Sequence, residues 1–257
     1  MAQARPGNPS TLTDNKLQKH PVSVVIPVFN EEAVIEKTIR GYHNEVLGRL
    51  PGSEMIVVDD CSTDSTPLIL KRLAEELSGI SILRPPRNVG HGKALRLAFE
   101  NANREIVFHT DSDYQFDPGD FGKLYTESAE NDLVIGYRAD RQDPAHRLAI
   151  TNVLRLLNFL MFGINLQDAN SPFKIVRMDC LNECLVHIDP DAFAPSIMLA
   201  ITARHKGFRV KEIPVTHYPR KSGKTSIEKR KLVKILLRCF VQNIKLKIAL
   251  MYEQSRA

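Results

Sequence analysis

Glu105-Ile106-Val107-Phe108-His109-Thr110-Asp111-Ser112-Asp113-Tyr114-Gln115 is an apolar run that breaks abruptly into acids. Its first half reads as a short buried strand, and Pro118-Gly119 turn the chain away soon after. Two carboxylates at i and i+2 share one face of an extended strand, and at a frayed strand end they can converge. Together with the amide oxygen of Gln115 they make a set of hard oxygen donors. Such a set suits Mg²⁺ or Mn²⁺, which keep several waters and take the rest of their shell from substrate phosphates. A bare Asp-x-Asp also reads as solvated acids capping a helix, so the surrounding chain has to decide.

Upstream, the same pattern occurs twice. Val22-Ser23-Val24-Val25-Ile26 is nearly continuous in apolar residues, as expected of a strand buried on both faces, and Pro27 ends it. Asn30-Glu31-Glu32 reads as a helix start with Asn30 as the N-cap, followed by Ile35, Ile39, Tyr42 and Val46 in one stripe. Glu54-Met55-Ile56-Val57-Val58 is a second strand, ended by Asp59-Asp60, and a helix with Pro67 in its first turn and Leu70, Leu73, Ala74 and Leu77 along its stripe follows. Ile80-Ser81-Ile82-Leu83 predicts a third strand, and a glycine-containing loop through Asn88-Val89-Gly90-His91-Gly92 leads into a helix from Lys93 to about Ala102. Strand–helix alternation of this length predicts a parallel, doubly wound sheet. Ligands of such sheets bind at the carboxyl ends of the strands. Pro27 to Glu32, Asp59-Asp60 and Asp111 to Gln115 therefore belong along one edge.

The second half is less regular. Leu133-Val134-Ile135-Gly136 predicts a strand running into Tyr137-Arg138, and a helix is expected from about His146 to Phe162. Asp168 to Phe173 reads as a loop, Lys174-Ile175-Val176 as a strand, and Ser196 to His205 as a helix closed by Gly207. Val210 to Val215 is the last expected strand. Neither GxGxxG after the first strand nor GxxxxGK[ST] occurs, so the common dinucleotide and P-loop sites are excluded.

The chain has 257 residues, a formal net charge of +5 and a pI near 9.0. The mild excess of base favours an anionic partner, but aromatic platforms and a recognisable nucleic-acid module are lacking, which argues against nucleic acid. Residues 1–20 read as a disordered tail without the apolar core of a signal peptide. Cys61, Cys180, Cys184 and Cys239 form no CxxC and are expected to be reduced thiols in a cytosolic protein. No run reaches the roughly 18 apolar residues of a spanning helix.

Taken in order, these motifs resemble the family-2 inverting glycosyltransferases of the GT-A fold, and among them the dolichol- or polyprenol-phosphate mannose (hexose) synthases. The resemblance runs over about residues 21–227. It is carried by Val24 to Glu32, Val57 to Asp64, Asn88 to Ala94, Asp111 to Pro118, Gly136-Tyr137-Arg138, Asp168 to Lys174, Glu212 to Val215 and Arg220 to Thr225. It implies a mostly parallel sheet flanked by helices in one catalytic domain, 21–227. Pro27, Phe29 and Glu31 would line the base and ribose pocket, with Asp60, Asp59, Lys93 and Ser112 also on the donor. Asp111, Asp113 and Gln115 would hold Mg²⁺ or Mn²⁺ across the diphosphate, neutralising the leaving group. Arg138, Arg147, Arg220 and Lys224 would clamp phosphate groups. Asp168 would act as general base toward a hydroxyl acceptor, or would orient arginines or acceptor if the acceptor is an already ionised phosphate. The chain departs from the family at Ser171-Pro172-Phe173, where Ser-Gly-Phe is usual, and at Phe193-Ala194-Pro195-Ser196, which lacks an expected acid.

Residues 228–257 form a basic segment in which Leu232, Ile235, Leu236, Phe240, Ile244 and Ile248 recur at helical spacing. Such a helix can lie on an anionic membrane or pack on the domain or on a partner subunit. The resemblance implies a metal-dependent hexosyltransferase. Its partners would be a nucleotide-diphosphate sugar (GDP-mannose or a UDP-sugar) and a polyprenyl or dolichyl phosphate. It would work in the cytoplasm, peripheral at a membrane face, with a homo-oligomer or a separate membrane-anchor subunit left open. The alternatives are a hydroxyl acceptor, or a sugar-nucleotide-binding regulator without catalysis.

Overall fold

The computed structural model describes residues 20–139, 155, 159–219 and 229–254. Seven strands form one sheet in the order β3-β2-β1-β4-β6-β5-β7. The first half follows the predicted alternation. β1 (Val22–Val28) leads to α1 (Ile35–Tyr42), which widens into a π turn at His43–Leu47. Next come β2 (Glu54–Asp59), α2 (Thr66–Glu76), β3 (Ile80–Leu83), α3 (His91–Glu100) and β4 (Ile106–His109). β2 and β4 pair parallel to β1 on its two sides, and β3 pairs parallel to β2.

Beyond β4 the order departs from a plain doubly wound sheet. A short α4 (Phe121–Glu127) precedes β5 (Leu133–Arg138), yet the strand beside β4 is β6 (Lys174–Arg177), which runs antiparallel to both β4 and β5. α5 (Met178–Leu185) follows β6 directly, then α6 (Pro195–His205) and β7 (Val210–Val215), which pairs parallel to β5 at the sheet edge. Pro214, which offers no N–H, is tolerated in that edge strand. Gly207 closes α6 with φ +83°, as the spacing predicts. α7 (Lys229–Gln254) is the last helix described.

Side chains alternate between two layers, as the pleat requires. Val24, Ile26, Val57 and Phe108 face a core under α1, α2 and α4, while Val25, Val58, Val107 and Val176 face a second core under α3, α5, α6 and part of α7. Ile35, Ile39, Tyr42 and Val46 form the predicted stripe and are fully buried or nearly so. Each such aliphatic or aromatic side chain contributes about 1.5–3 kcal/mol of burial free energy.

Asn30 is not the cap of α1. It sits in the left-handed region at φ 54° and its Oδ1 accepts the Thr63 amide at 2.7 Å, while the helix starts only at Ile35, after a turn on the Glu31 carbonyl. Asparagine tolerates this conformation because its short amide satisfies nearby backbone. The effect is to tie the loop after β1 to the loop after β2. Most of the helix expected from His146 to Phe162 lies outside the described residues, of which 159–162 are helical.

Candidate active site

The carboxyl ends of β1, β2 and β4 open into a cavity of about 350 Å³. Pro27, Phe29 and Glu31 line it from the end of β1 and Asp60 from the end of β2. Asp111, Ser112 and Asp113 line it from the end of β4, Asn88 and Gly90 from the loop before α3, and His91 from its first turn. Seven of the residues singled out in the sequence thus meet in one cleft.

Local bonding fixes this edge. Asp60 spends its carboxylate on the amides of Val89 (2.7 Å) and Gly90 (2.8 Å), while its carbonyl takes the Asn88 amide group. Gly90 holds φ +87°, a conformation that favours glycine, and so lets the loop turn its amides toward Asp60. At Gly92 a Cβ would stand 2.2 Å from the Ala192 carbonyl oxygen, so α3 approaches residues 192–193 as only glycine permits. The acidic loop is supported from beneath. Thr38 donates to the Ser112 carbonyl, Thr110 to the Tyr42 hydroxyl, and Lys37 lies 4.0 Å over the Tyr114 ring.

The adjacent Asp59 has a different setting. Its carboxylate accepts the Ser62 amide and the Arg84 guanidinium, outside the cleft lining. Strand alternation sends neighbouring side chains to opposite faces, and here only Asp60 reaches the cleft. Lys93 lies on α3 and pairs with Asp191 at 2.6 Å. Gln115 is beside the cleft rather than on its lining. Its Nε2 donates to the Tyr218 carbonyl at 3.0 Å and its carbonyl accepts the Tyr218 amide at 2.7 Å. Tyr218 also donates its hydroxyl to Asp117 at 2.9 Å, which raises the phenol's pKa. The acidic loop is therefore zipped to the chain just before Arg220. Arg147, Arg220 and Lys224 lie outside the described residues.

Arg138 and Asp168 form a bidentate pair, Nε–Oδ2 2.7 Å and Nη2–Oδ1 2.9 Å, with Asp168 almost wholly buried. Glu212 accepts the amides of Gln167 and Asp168 and so pins the loop that carries the acid.

The sequence reading missed Lys174. It sits in β6 and is fully buried, and its ammonium donates to the carbonyls of Ala169 and Ser196 and to the Ser196 hydroxyl. Burial pushes its pKa down to about 7, against the upward pull of Asp168 and Asp111. The usable signal was a lysine inside the apolar run Phe173-Lys174-Ile175-Val176. Ser196 takes the lysine where an acid was expected. His109, paired in register with Lys174, is also wholly buried, and desolvation holds its pKa well below the ordinary value.

Whether the acids suit a divalent cation can be tested on Asp111. Its Oδ1 is buried, has no hydrogen-bond partner among the described residues, and lies 4.0 Å from His109 Nε2. A buried carboxylate oxygen left without a donor is costly unless a cation meets it. Among the described residues no group of three His, Cys, Asp or Glu side chains is placed to hold a metal ion by itself. Two carboxylates with the remaining shell left to phosphate and water fit Mg²⁺ or Mn²⁺.

The sequence matches the glycosyl transferase family 2 profile over residues 23–185. The chain belongs to that family. The dodecaprenyl-phosphate galacturonate synthase of Rhizobium johnstonii is 26% identical over 217 residues, covering 82% of this chain and 63% of the relative. An undecaprenyl-phosphate 4-deoxy-4-formamido-L-arabinose transferase of Pseudomonas aeruginosa is 29% identical over 217 residues, covering 84% and 62%. The chain thus spans less than two thirds of the length of these relatives. Among solved structures, glucosyl-3-phosphoglycerate synthase from Mycobacterium tuberculosis with uridine-diphosphate superposes with a TM-score of 0.64 at 21% identity, covering 95% of this chain and 86% of that one. A mannosyltransferase from Pyrobaculum calidifontis with GDP-Man and Mn²⁺ gives 0.60 at 22% identity, covering 91% and 69%. The fold of this family 2 chain is GT-A, a mostly parallel sheet flanked by helices.

Proposed function

We propose that this family 2 chain is a metal-dependent inverting glycosyltransferase that moves a hexose-type sugar from a nucleoside-diphosphate donor to a polyprenyl phosphate at the cytosolic face of a membrane. The reading rests chiefly on one observation: Asp60, Asp111 and Asp113 converge on a cleft at the strand ends, with Asp111 Oδ1 buried and without a hydrogen-bond partner among the described residues. The names of the relatives, two polyprenyl-phosphate sugar enzymes, support the acceptor class.

Pro27, Phe29 and Glu31 would bind the base and ribose, and the loop anchored by Asp60 would close that pocket. Asp111 and Asp113 would hold Mg²⁺ or Mn²⁺, with Gln115 beside them; when bound, the cation neutralises charge on the departing diphosphate. An acceptor phosphate oxygen would attack the anomeric carbon from the opposite side as the bond to the diphosphate breaks. That oxygen is already largely ionised near neutral pH, so no base is needed. The engagement of Asp168 by Arg138 supports this, because a carboxylate holding a guanidinium through both oxygens orients that arginine. Arg138, with Arg147, Arg220 and Lys224, would steady donor and acceptor phosphates.

The test is radiolabelled transfer from GDP-mannose, UDP-glucose, UDP-N-acetylhexosamine and UDP-galacturonate into an organic-extractable fraction containing polyprenyl phosphate and Mn²⁺ or Mg²⁺. Asp113→Ala serves as control. Metal-dependent lipid label that the variant lacks is expected. Donor hydrolysis without lipid label would overturn the acceptor, and donor binding with neither would overturn catalysis.

A further inference from the structure

Helix α7 carries apolar side chains on its exposed face as well as on its buried one. Its inward face carries Gln242, Asn243, Leu246 and Leu250, all buried. Gln242 accepts the Phe193 amide at 2.9 Å and donates to the Asp191 carbonyl at 3.1 Å, while Leu246 and Leu250 enter the core under α6. Its outward face carries Phe240, Val241, Ile244, Ile248, Met251 and Tyr252, each between 38% and 62% exposed. At 3.6 residues per turn these six side chains fall within an arc of about 120°, roughly opposite the docked face. The periodic apolar residues that the sequence displays from Phe240 onward are therefore the ones the domain leaves uncovered. Domain packing does not explain them.

Charge identifies what would cover them. From Lys229 to Gln254 there are seven basic residues and one acid, Glu253. Lys245 and Lys247 border the stripe, one on each side of the arc, and Lys245 is mostly exposed although it reaches Asp189 at 3.4 Å. Lysines flanking an exposed apolar face keep their stems on hydrocarbon and their ammonium groups in water. Two copies of this helix packed stripe to stripe would bring two strongly basic segments together, which is unfavourable. A surface of negative headgroups over hydrocarbon satisfies both the stripe and its borders. Among the described residues no helix is long and apolar enough to cross a membrane.

We propose that the outward face of α7 from Phe240 to Tyr252 is a docking surface for an anionic phospholipid bilayer, with the helix lying in the plane of the interface. The inference extends the lipid-acceptor reading, on which it rests for its purpose but not for its test.

The test is co-sedimentation of the full chain with vesicles of phosphatidylglycerol and phosphatidylcholine, set against pure phosphatidylcholine, with no polyprenyl phosphate present. Binding to the anionic vesicles is expected, weakened at high salt and reduced at least tenfold by Ile248→Glu or Met251→Glu. Both sites are exposed, and unchanged far- and near-ultraviolet circular dichroism would certify folding. Ile244→Gln, a smaller change, should weaken binding less. Wild-type chain that stays in the supernatant would overturn the proposal, as would undiminished binding of the glutamate variants. A dimer in sedimentation velocity that dissociates in Ile248→Glu, with no vesicle binding, would assign the face to a second copy instead. Transfer to a polyprenyl phosphate in detergent should persist in all three variants. Its failure in the wild type would remove the acceptor reading and leave the docking result standing.

Discussion

Asp168→Asn separates the two roles open to that acid. In the native pair both carboxylate oxygens accept Arg138 N–H groups, at 2.7 and 2.9 Å, with the side chains 2% and 13% exposed. Asparagine keeps the shape but has one oxygen, so its amide N–H₂ would face a guanidinium N–H and the arginine would lose the negative charge of this partner. Breaking a buried pair from one side typically costs about 3–5 kcal/mol. Arg138 retains some contact with solvent, which places the expected loss near 3 kcal/mol. For a chain of this size that is a fall in Tm of roughly 6–12 °C. Arg138 would then be held less firmly, and a displacement of about 1 Å in a positioning group can lower kcat by around 100-fold. The assays are thermal unfolding and a pH–rate profile of sugar transfer. An orienting Asp168 predicts a destabilised enzyme, a lower kcat and an unchanged profile. If the variant instead keeps its Tm, loses more than about 10⁴ in rate and loses the acidic limb of the profile, Asp168 is a general base and the argument from the bidentate pair fails.

The buried Lys174 gives stability a pH dependence. Its folded pKa of about 7 lies below the ordinary 10.5, so folding penalises the charged form. The penalty is full below pH 7 and is relieved as pH rises toward 10.5. Relative to Lys174→Met, the wild type should therefore gain about 3 kcal/mol in urea unfolding between pH 7 and 9.5, from 1.36 kcal/mol per pH unit; a flat difference would refute it. Gly92→Ala should cost about 1–3 kcal/mol, because the added methyl meets the Ala192 carbonyl and α3 must retreat. An unchanged urea midpoint would count against that contact. Removal of divalent cations with a chelator should abolish transfer, and Mn²⁺ or Mg²⁺ should restore it in the wild type but not in Asp111→Ala; full activity in chelator would end the metal assignment.

Much of the fold could be read from the chain because its first half is local. Val22 to Ile26, Glu54 to Val58 and Glu105 to Thr110 are apolar on both faces, which only a sheet covered on two sides demands, and the acids that end them mark the cleft edge. The placement of β6 was hidden because strand order beyond β4 depends on pairing across dozens of residues, and nothing in Lys174 to Arg177 announces an antiparallel insertion. α5 escaped notice because it follows β6 without a turn. Asp59 and Asp60 were both given to the donor, and only the register of β2 and the partner Arg84 distinguish them. Lys174 was missed for a related reason: its meaning comes from Ser196 and the Ala169 carbonyl, which the chain brings to it from elsewhere.

The insertion of β6 also sets an order of assembly. β4 has no direct partner in β5; the two are joined only by a strand that the ribosome delivers 36 residues after Arg138. Until Lys174 to Arg177 have emerged, β1 to β4 can pair among themselves, but the outer side of β4 stays an open edge of Ile106, Val107 and Phe108, and β5 has nothing to dock against. A nascent chain halted before residue 174 would therefore be prone to edge-to-edge association and a chaperone client. One halted just after 177 could close its sheet from β3 to β5.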